Sequence, residues 1–301
     1  MKILIAEDDP ISRRVLEATL VEWGYDILVA SDGSEAWELL QKPDAPNLVI
    51  SDWMMPHMDG LELCRRIRQM ERSGYVYFII LTGKGGKEDV IEGLEAGADD
   101  FLIKPFDREE LKCRAKIGER IINLELRILE LANTDALTGV LNRRAFMERM
   151  DQEIRRSLRE DVPLSLILTD IDYFKRVNDR YGHQVGDLVL QRFTEQLSES
   201  SRPYDFVGRY GGEEFVVCLP GVDVSQARSV AERMRRRVEE TGIMLPDSSQ
   251  SIRITGSFGV AYLRTGSEET VDLITGRADD TMYRAKREGR NRVCVASEEG
   301  H

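Results

Sequence analysis

Over its first hundred residues the chain alternates five short apolar runs with stretches of helical period. The runs are residues 2–6, 27–30, 48–51, 76–81 and 101–103, and the helical stretches lie near 11–23, 34–41, 60–70 and 87–96. Short apolar runs of this kind read as strands buried on both faces. Helices must then connect them, which makes the strands parallel. The expected fold of this part is α/β, a doubly wound parallel five-stranded sheet. In such sheets ligands bind beyond the carboxyl ends of the strands. There the chain places Glu7-Asp8-Asp9 after the first run, Asp52 after the third, Thr82 after the fourth and Lys104-Pro105 after the fifth. Clustered carboxylates repel unless a cation joins them, and an all-oxygen set points to Mg²⁺. A carboxylate beside Mg²⁺ and a lysine suits a phosphoryl acceptor, because the charge of the incoming group is offset. Any one of these acids alone is explained as a helix cap. Capping does not explain four strand ends that converge.

The segments IAEDDP, SDWMMP, ILTGK and FLIKPF, spread over residues 1–106, resemble the motifs of response-regulator receiver domains. The resemblance implies that Asp52 is the phospho-acceptor. It implies one Mg²⁺, held directly by Asp8, through water by Glu7, and by Asp52 and the backbone carbonyl of Met54. Thr82 would bind the phosphoryl oxygen, Lys104 would pair with it, and Phe101 holds the aromatic switch position. The phosphoryl source would be a sensor histidine kinase or a small phosphodonor. Asp9 is expected only to cap a helix, and His57 to lie on the surface. Gly83-Lys84-Gly85-Gly86-Lys87 lacks the spacing of a phosphate-binding P-loop and reads as a flexible loop.

Residues 107–133 contain no proline and one glycine, Gly118. Ile117, Ile121, Leu124, Ile128 and Leu131 recur at spacings of four and three, an a/d seam over about two heptads. A dimeric coiled coil continuing the last receiver helix is expected. The alternative is an amphipathic helix packed on its own domain.

The rest, residues 134–301, forms a second domain. Helices are expected near 142–158, 186–198, 224–240 and 270–287, and strands at 164–169, 206–209, 215–219, 252–262 and 291–296. The mixed order predicts an α+β domain, an antiparallel sheet covered by helices. Gly211-Gly212-Glu213-Glu214 joins two of the strands as a hairpin turn. Asp170, at a strand end, and Glu213, in the hairpin, would form a two-carboxylate clamp for Mg²⁺ on nucleotide phosphates. Gly211 and Gly212 carry no side chain, so a nucleotide can approach the backbone.

The segments DALTGVLNRR, DIDYFKRVNDRYGHQVGD, RYGGEEF, SFGVA and ADDTMYRAKREGRNRV resemble the GGDEF domain of diguanylate cyclases across the whole domain. Glu213 stands where the signature has Asp, a variant found in active members. The resemblance implies a palm-like, ferredoxin-related fold that condenses two GTP into cyclic di-GMP and pyrophosphate. Asp170, Glu213 and the carbonyl of Ile171 would bind two Mg²⁺ per GTP. Glu214 would assist metal binding or deprotonate the 3′-hydroxyl. Asn178 and Asp187 would read guanine, whose adjacent N–H donors match an acceptor-only carboxylate. Lys286 and Arg290, four apart at the end of the last helix, would share a face and hold the β- and γ-phosphates. Backbone amides around Phe174 and Lys175 would bind phosphate too. Arg202 and Asp205, in RxxD spacing, together with Arg233 mark the family's inhibitory product site, where arginine can both fork to phosphate and stack on guanine. The plainer readings are a solvated basic helix end for Lys286 and Arg290 and a surface salt bridge for Arg202.

A chain of 301 residues accommodates about two such domains. The net charge of −12 argues against non-specific nucleic-acid binding. The four cysteines and three histidines form no zinc motif and no disulfide framework, no apolar run reaches membrane-span length, and a cytoplasmic location is expected. The sequence thus reads as a phosphorylation-activated, product-inhibited diguanylate cyclase. It would work as a homodimer, because a cyclic dinucleotide needs two GTP sites facing one another. A degenerate module that only binds nucleotide, or a transcription factor, would need a broken signature or a basic recognition helix, and neither is present.

Overall fold

The computed structural model describes residues 1–70, 74–83, 87–245, 250–264 and 269–297. Residues 84–86 of the glycine–lysine loop and His301 lie outside the described residues. The chain divides into two compact units, Met1–Glu130 and Leu131–His301.

The first unit runs β1 (Lys2–Ala6), α1 (Pro10–Glu22), β2 (Asp26–Ala30), α2 (Gly33–Leu40), β3 (Leu48–Asp52), α3 (Gly60–Gln69), β4 (Tyr77–Thr82), α4 (Lys87–Glu95), β5 (Asp100–Ile103) and α5 (Arg108–Asn133). The sheet is parallel throughout, as the alternation of runs predicts, and its strands lie in the order β2-β1-β3-β4-β5. Strand side chains alternate between two cores. Ile3, Ile5, Leu48, Ile50, Ile79 and Leu81 pack with Leu16 of α1 and Leu111 of α5. Leu4, Ala6, Val49, Phe78 and Ile80 pack with α2 and α3 on the other face. Asp9 caps α1 by accepting the Ser12 N–H at 2.7 Å, and Pro10 follows it.

The helix α5 carries two apolar stripes. Leu111, Ala115, Gly118 and Ile122 are buried in the first unit. Gly118 lets the helix touch the sheet, since a Cβ there would stand 2.6 Å from Tyr77 Cδ1 and 2.9 Å from Leu48 Cδ1. Ile117, Ile121, Leu124, Ile128 and Leu131 are all exposed, by 39–68%. This seam lies about 100° around the helix from the buried stripe, because Ile117 and Ile121 precede the buried Gly118 and Ile122 by one residue. Own-domain packing therefore accounts for the first stripe and leaves the seam uncovered.

The second unit runs α6 (Arg143–Glu160), β6 (Leu164–Ile171), α7 (Phe174–Tyr181), α8 (His183–Glu199), β7 (Phe206–Arg209), β8 (Glu214–Pro220), α9 (Val224–Glu240), β9 (Ile243–Met244), β10 (Ser251–Ile252), β11 (Gly256–Tyr262), α10 (Val271–Arg287) and β12 (Val293–Val295). Its main sheet has the order β12-β11-β6-β8-β7 and is antiparallel except for the β11–β12 pair. All eight residues of the central strand β6 are buried. Ile167, Val217 and Phe258 face α8 and α9, while Leu166, Val216 and Ala261 face α6 and α10.

Two expectations are corrected. The strand expected over 252–262 is broken, because β10 pairs with β9 in a separate ribbon and only β11 joins the main sheet. The break is fixed at Thr255, whose carbonyl accepts the Asp172 N–H at 2.9 Å and whose hydroxyl donates to Asp172 at 2.7 Å. The helix α7 was not expected, and α8 begins at His183 rather than Gly186. Neither start carries a side-chain cap, the signal that marks a helix start in sequence.

The close approach at Gly118 makes a stability prediction. Alanine gains about 1 kcal/mol in helix propensity over glycine, whereas overpacking a core costs about 1–3 kcal/mol. Gly118→Ala should therefore lower stability in urea denaturation. A stabilised variant would contradict the packing of α5 on β3 and β4.

Candidate functional sites

In the first unit, adjacency of β1 and β3 sets Glu7, Asp8 and Asp52 side by side. One carboxylate oxygen from each lies within 4.8 Å of the others. Glu7 is fully buried. Its Oε2 lies 2.6 Å from Lys104 Nζ, and its Oε1 has no hydrogen-bond partner among the described residues. Lys104 Nζ is also 3.0 Å from Asp52 Oδ2, while Asp52 Oδ1 accepts the Trp53 N–H at 2.8 Å. Burial pushes the Glu7 carboxyl pKa up against the pull of Lys104, and the nearby Asp52 charge adds to the rise. Burial works against the Lys104 charge, but its bonds to Glu7 and Asp52 more than offset this and raise its pKa. Two of the three carboxylates thus share one ammonium, and Glu7 keeps a buried oxygen without a partner among the described residues. That donor set fits a hard divalent cation such as Mg²⁺.

The remaining receiver residues lie at the same end of the sheet. Thr82 is buried at the end of β4, and the Met54 side chain is exposed on the loop after β3. Phe101 on β5 lines a small cavity with Thr82, Trp53 and Ile80. The sequence reading missed Arg114 of α5. Its guanidinium stacks on the Phe101 ring at 5.9 Å and pairs with Asp100 and, at 2.7 Å, with Glu110. An arginine in a charge-rich helix carries no signal of such a contact.

In the second unit the antiparallel register sets Asp170 of β6 directly opposite Glu214 of β8. The Ile171 N–H donates to the Glu213 carbonyl at 3.3 Å, which brings the hairpin to the end of β6. Lys286 of α10 reaches Asp170, Nζ to Oδ2, at 2.6 Å. Asp170 is 6% exposed, and its carboxyl pKa is pushed up to about 6. Burial is the leading cause; the Lys286 bond opposes it, and the charges of Glu213 and Glu214 add to it. Burial also raises the pKa of Glu213. The Glu214 carboxylate lies over Gly211, 2.7 Å from where a Cβ would stand, and the space beside Gly212 is open. Arg209 braces this hairpin by donating to the Gly212 carbonyl at 2.7 and 3.1 Å, and it pairs with Asp135 at 3.1 Å. Asp135 had not been singled out. Its signal was the Asp-x-x-Thr spacing, which lets it accept both the N–H and the hydroxyl of Thr138. As at the receiver cluster, one buried and further partly exposed carboxylates gather around a single lysine, and this set too fits Mg²⁺.

Asn178 of α7 and Asp187 of α8 are brought near each other through Gly186. A Cβ at Gly186 would stand 1.9 Å from Asn178 Oδ1, a buried oxygen with no hydrogen-bond partner. Asp187 follows Gly186 and is exposed. Phe174 and Lys175 open α7, whose N-terminus no side chain caps. The placement of Arg290 needs correction. The helix α10 ends at Arg287, so Lys286 and Arg290 do not share a helix face. Arg290 instead lies in a left-handed turn (φ 64°), stacked on the Tyr173 ring at 4.5 Å. Asp205 accepts the Arg202 main-chain N–H at 2.7 Å, which closes a turn and leaves the Arg202 side chain exposed. Arg233 of α9 reaches the neighbouring Ser200 carbonyl at 2.7 Å, so the three residues come to one corner.

The raised Asp170 pKa has a pH signature. In the unfolded chain the group ionises near 3.8, but in the native unit only near 6. The native state therefore binds the extra proton between these values, and stability falls as pH rises from about 4 to about 6. In Mg²⁺-free buffer at pH 7, Asp170→Asn should be more stable than wild type by about 1–3 kcal/mol, a gap that closes toward pH 4. Urea titrations at both pH values test this, and parallel curves for the two proteins would contradict the burial argument.

Residues 132–292, more than half of the chain, match the family described as "Diguanylate cyclase, GGDEF domain", and residues 3–116 match "Response regulator receiver domain". Response regulator PleD of Caulobacter vibrioides is 35% identical over 97% of this chain, which spans 65% of that protein's length. Diguanylate cyclase DgcP of Pseudomonas aeruginosa is 41% identical over 55% of this chain and 24% of its own. A solved structure of the coiled coil and GGDEF domain of DgcB from Caulobacter crescentus, in complex with c-di-GMP, aligns with TM-score 0.58 and 31% identity over 62% of this chain and 98% of that one. With the strand order, the acidic clusters and these matches in agreement, the chain belongs to the GGDEF diguanylate cyclase family and carries a response-regulator receiver domain ahead of it.

Proposed function

We propose that this protein is a phosphorylation-activated diguanylate cyclase that condenses two GTP into cyclic di-GMP and two pyrophosphates. The observation that carries the reading is the Asp170–Glu213–Glu214 cluster at the open Gly211–Gly212 hairpin, with Lys286 as its counter-charge. Asp170, Glu213 and the Ile171 carbonyl would hold two Mg²⁺ per GTP. When bound, Mg²⁺ supplies charge stabilisation at the phosphates. The chain's own groups do the rest. Glu214 lies beside the cluster and takes the 3′-hydroxyl proton or helps hold metal. The 3′-oxygen of one GTP then forms a bond to the α-phosphorus of the other, and the bond to the pyrophosphate oxygen breaks. The same step with the roles exchanged closes the ring. Lys286, Arg290 and the N–H groups of Phe174 and Lys175 offset the β- and γ-phosphate charge.

Guanine would be read by Asp187, which accepts its N1–H and N2–H, and by Asn178, whose buried Oδ1 lacks a partner among the described residues. Adenine would leave these acceptors unpaired, at a cost of about 1–3 kcal/mol. One such site holds one GTP, so turnover needs a second copy of the chain. The exposed seam of Ile117, Ile121, Leu124, Ile128 and Leu131 is the proposed coiled-coil contact. In the receiver, phosphoryl transfer from a histidine kinase or small phosphodonor to Asp52 would occur beside one Mg²⁺ held by Glu7, Asp8, Asp52 and the Met54 carbonyl. Lys104 and Thr82 would take the new charge, and Phe101 would respond through Arg114. Arg202, Asp205 and Arg233 would bind cyclic di-GMP and inhibit. A cytoplasmic location fits these soluble substrates, and no described helix is long and apolar enough to cross a membrane.

The test is product formation from GTP and Mg²⁺. Asp170→Asn and Glu214→Gln should each lower it by at least about a hundredfold with the fold retained. Wild-type rates in either would remove that residue from the reaction centre. Arg202→Ala should shift the cyclic di-GMP inhibition curve to higher concentration, and an unchanged curve would remove the inhibitory site.

A further inference from the structure

Among the described residues five non-glycine residues have left-handed φ, and three of them, Tyr173, Arg290 and Asn291, meet at one corner of the second unit. Backbone in this region persists only where the surroundings enforce it, and it gathers at functional sites. Here the enforcement is explicit. The Arg290 N–H donates to the Ala285 carbonyl at 3.0 Å. The Asn291 N–H donates to Asp172 Oδ2 at 3.0 Å. Asp172 is buried (5% exposed) and also accepts the hydroxyls of Thr255 and Ser257, each at 2.7 Å. The Asn291 side chain is gripped at both ends: its Nδ2 donates to Glu239 Oε1 at 2.7 Å, and its Oδ1 accepts from Arg235 at 2.7 Å. Arg235 is only 12% exposed and is held in turn by Glu232 at 2.9 Å and Glu239 at 2.8 Å. None of these groups touches the carboxylate cluster or Lys286 in the bonds described, so the proposed chemistry gives them no role.

We infer that Asp172, Asn291 and Arg235 are positioning residues. They form a clasp that fixes the turn after α10, so that the Arg290 guanidinium stays stacked on Tyr173 at the phosphate side of the site. The inference rests on the proposed role of Arg290 toward the β- and γ-phosphates. Its physical content is preorganisation. A phosphate-binding arginine on a free loop loses conformational freedom each time it binds, whereas one on a clasped turn has lost it already. Arg235 reaches Asn291 from α9, so the turn is braced from the helix across the sheet edge as well as from β6.

The test is a double-mutant cycle on the full chain with Mg²⁺. The probes are GTP with a methylene bridge between its α- and β-phosphorus atoms, in which the bond to be cleaved is replaced, and GMP, which lacks the outer phosphates. Binding is read by calorimetry for wild type, Arg290→Ala, Arg235→Ala and the pair. Arg290→Ala should weaken the triphosphate analogue by about tenfold and leave GMP unchanged. Arg235→Ala should weaken the analogue by about threefold to tenfold, again sparing GMP, and the double variant should be no weaker than Arg290→Ala alone. Glu232 and Glu239 are partly exposed, so removing Arg235 leaves no buried unpaired charge. Asn291→Gly gives a second route, since it keeps the left-handed turn and deletes the side-chain grip; it should match Arg235→Ala. Multiplying effects in the double variant, an equal loss of GMP binding, or wild-type affinity in Arg235→Ala would overturn the clasp while leaving the role of Arg290 standing. No effect of Arg290→Ala on the analogue would overturn the phosphate role and the clasp together.

Discussion

Each unit gathers carboxylates at the ends of its central strands and answers them with one lysine. Lys104 lies between Glu7 and Asp52 in the first unit, and Lys286 lies on Asp170 in the second. A single ammonium offsets one charge of several, and burial makes the remainder costly. The consequences are visible in the raised pKa of Glu7, in an Asp170 carboxyl pushed up to about 6, and in the unpaired oxygen of Glu7. Buried carboxylates beside so little positive charge are costly, and their donor sets fit a divalent cation. The sheets serve this purpose. Parallel order in one and antiparallel register in the other both deliver acids from neighbouring strands to one point.

The helix α5 presents two stripes in different environments. Its buried stripe makes it the last layer of the receiver fold, and Gly118 exists to let it approach the sheet. Arg114, on the same helix, stacks on Phe101 and pairs with Asp100 at the start of β5. In the proposed mechanism, a rearrangement at Asp52 that moved Phe101 would act on a helix whose other stripe is an exposed heptad seam. A packed interface of this type repacks between discrete arrangements rather than bending continuously, which gives coupling a physical carrier.

Most of the strands and the acidic clusters were legible because they depend on local pattern. Apolar runs mark β1 to β5, and acids mark their ends. What escaped depends on contacts distant in sequence. The Arg209–Asp135 brace joins residues 74 apart, and the Asp172–Asn291 bond joins residues 119 apart. The helix α7 escaped because left-handed Tyr173 starts it without a side-chain cap. Arg290 was assigned to a helix face by its i, i+4 spacing from Lys286, but Gly289 at φ 121° had already turned the chain out of the helix. Glycine two residues past the basic helix end at Arg287 is a stop signal that the i, i+4 spacing obscured.

The central claim is that charge added at Asp52 raises the rate of GTP condensation through the seam of α5. The most direct measurement is the rate of cyclic di-GMP formation with and without beryllofluoride, which mimics the phosphoryl group. It is made on wild type and on a chain with two residues inserted near Glu125, which rotates everything beyond by about 200°. The account predicts stimulation of wild type and loss of that stimulation in the insertion variant, with basal activity retained. Equal stimulation of both proteins would contradict it.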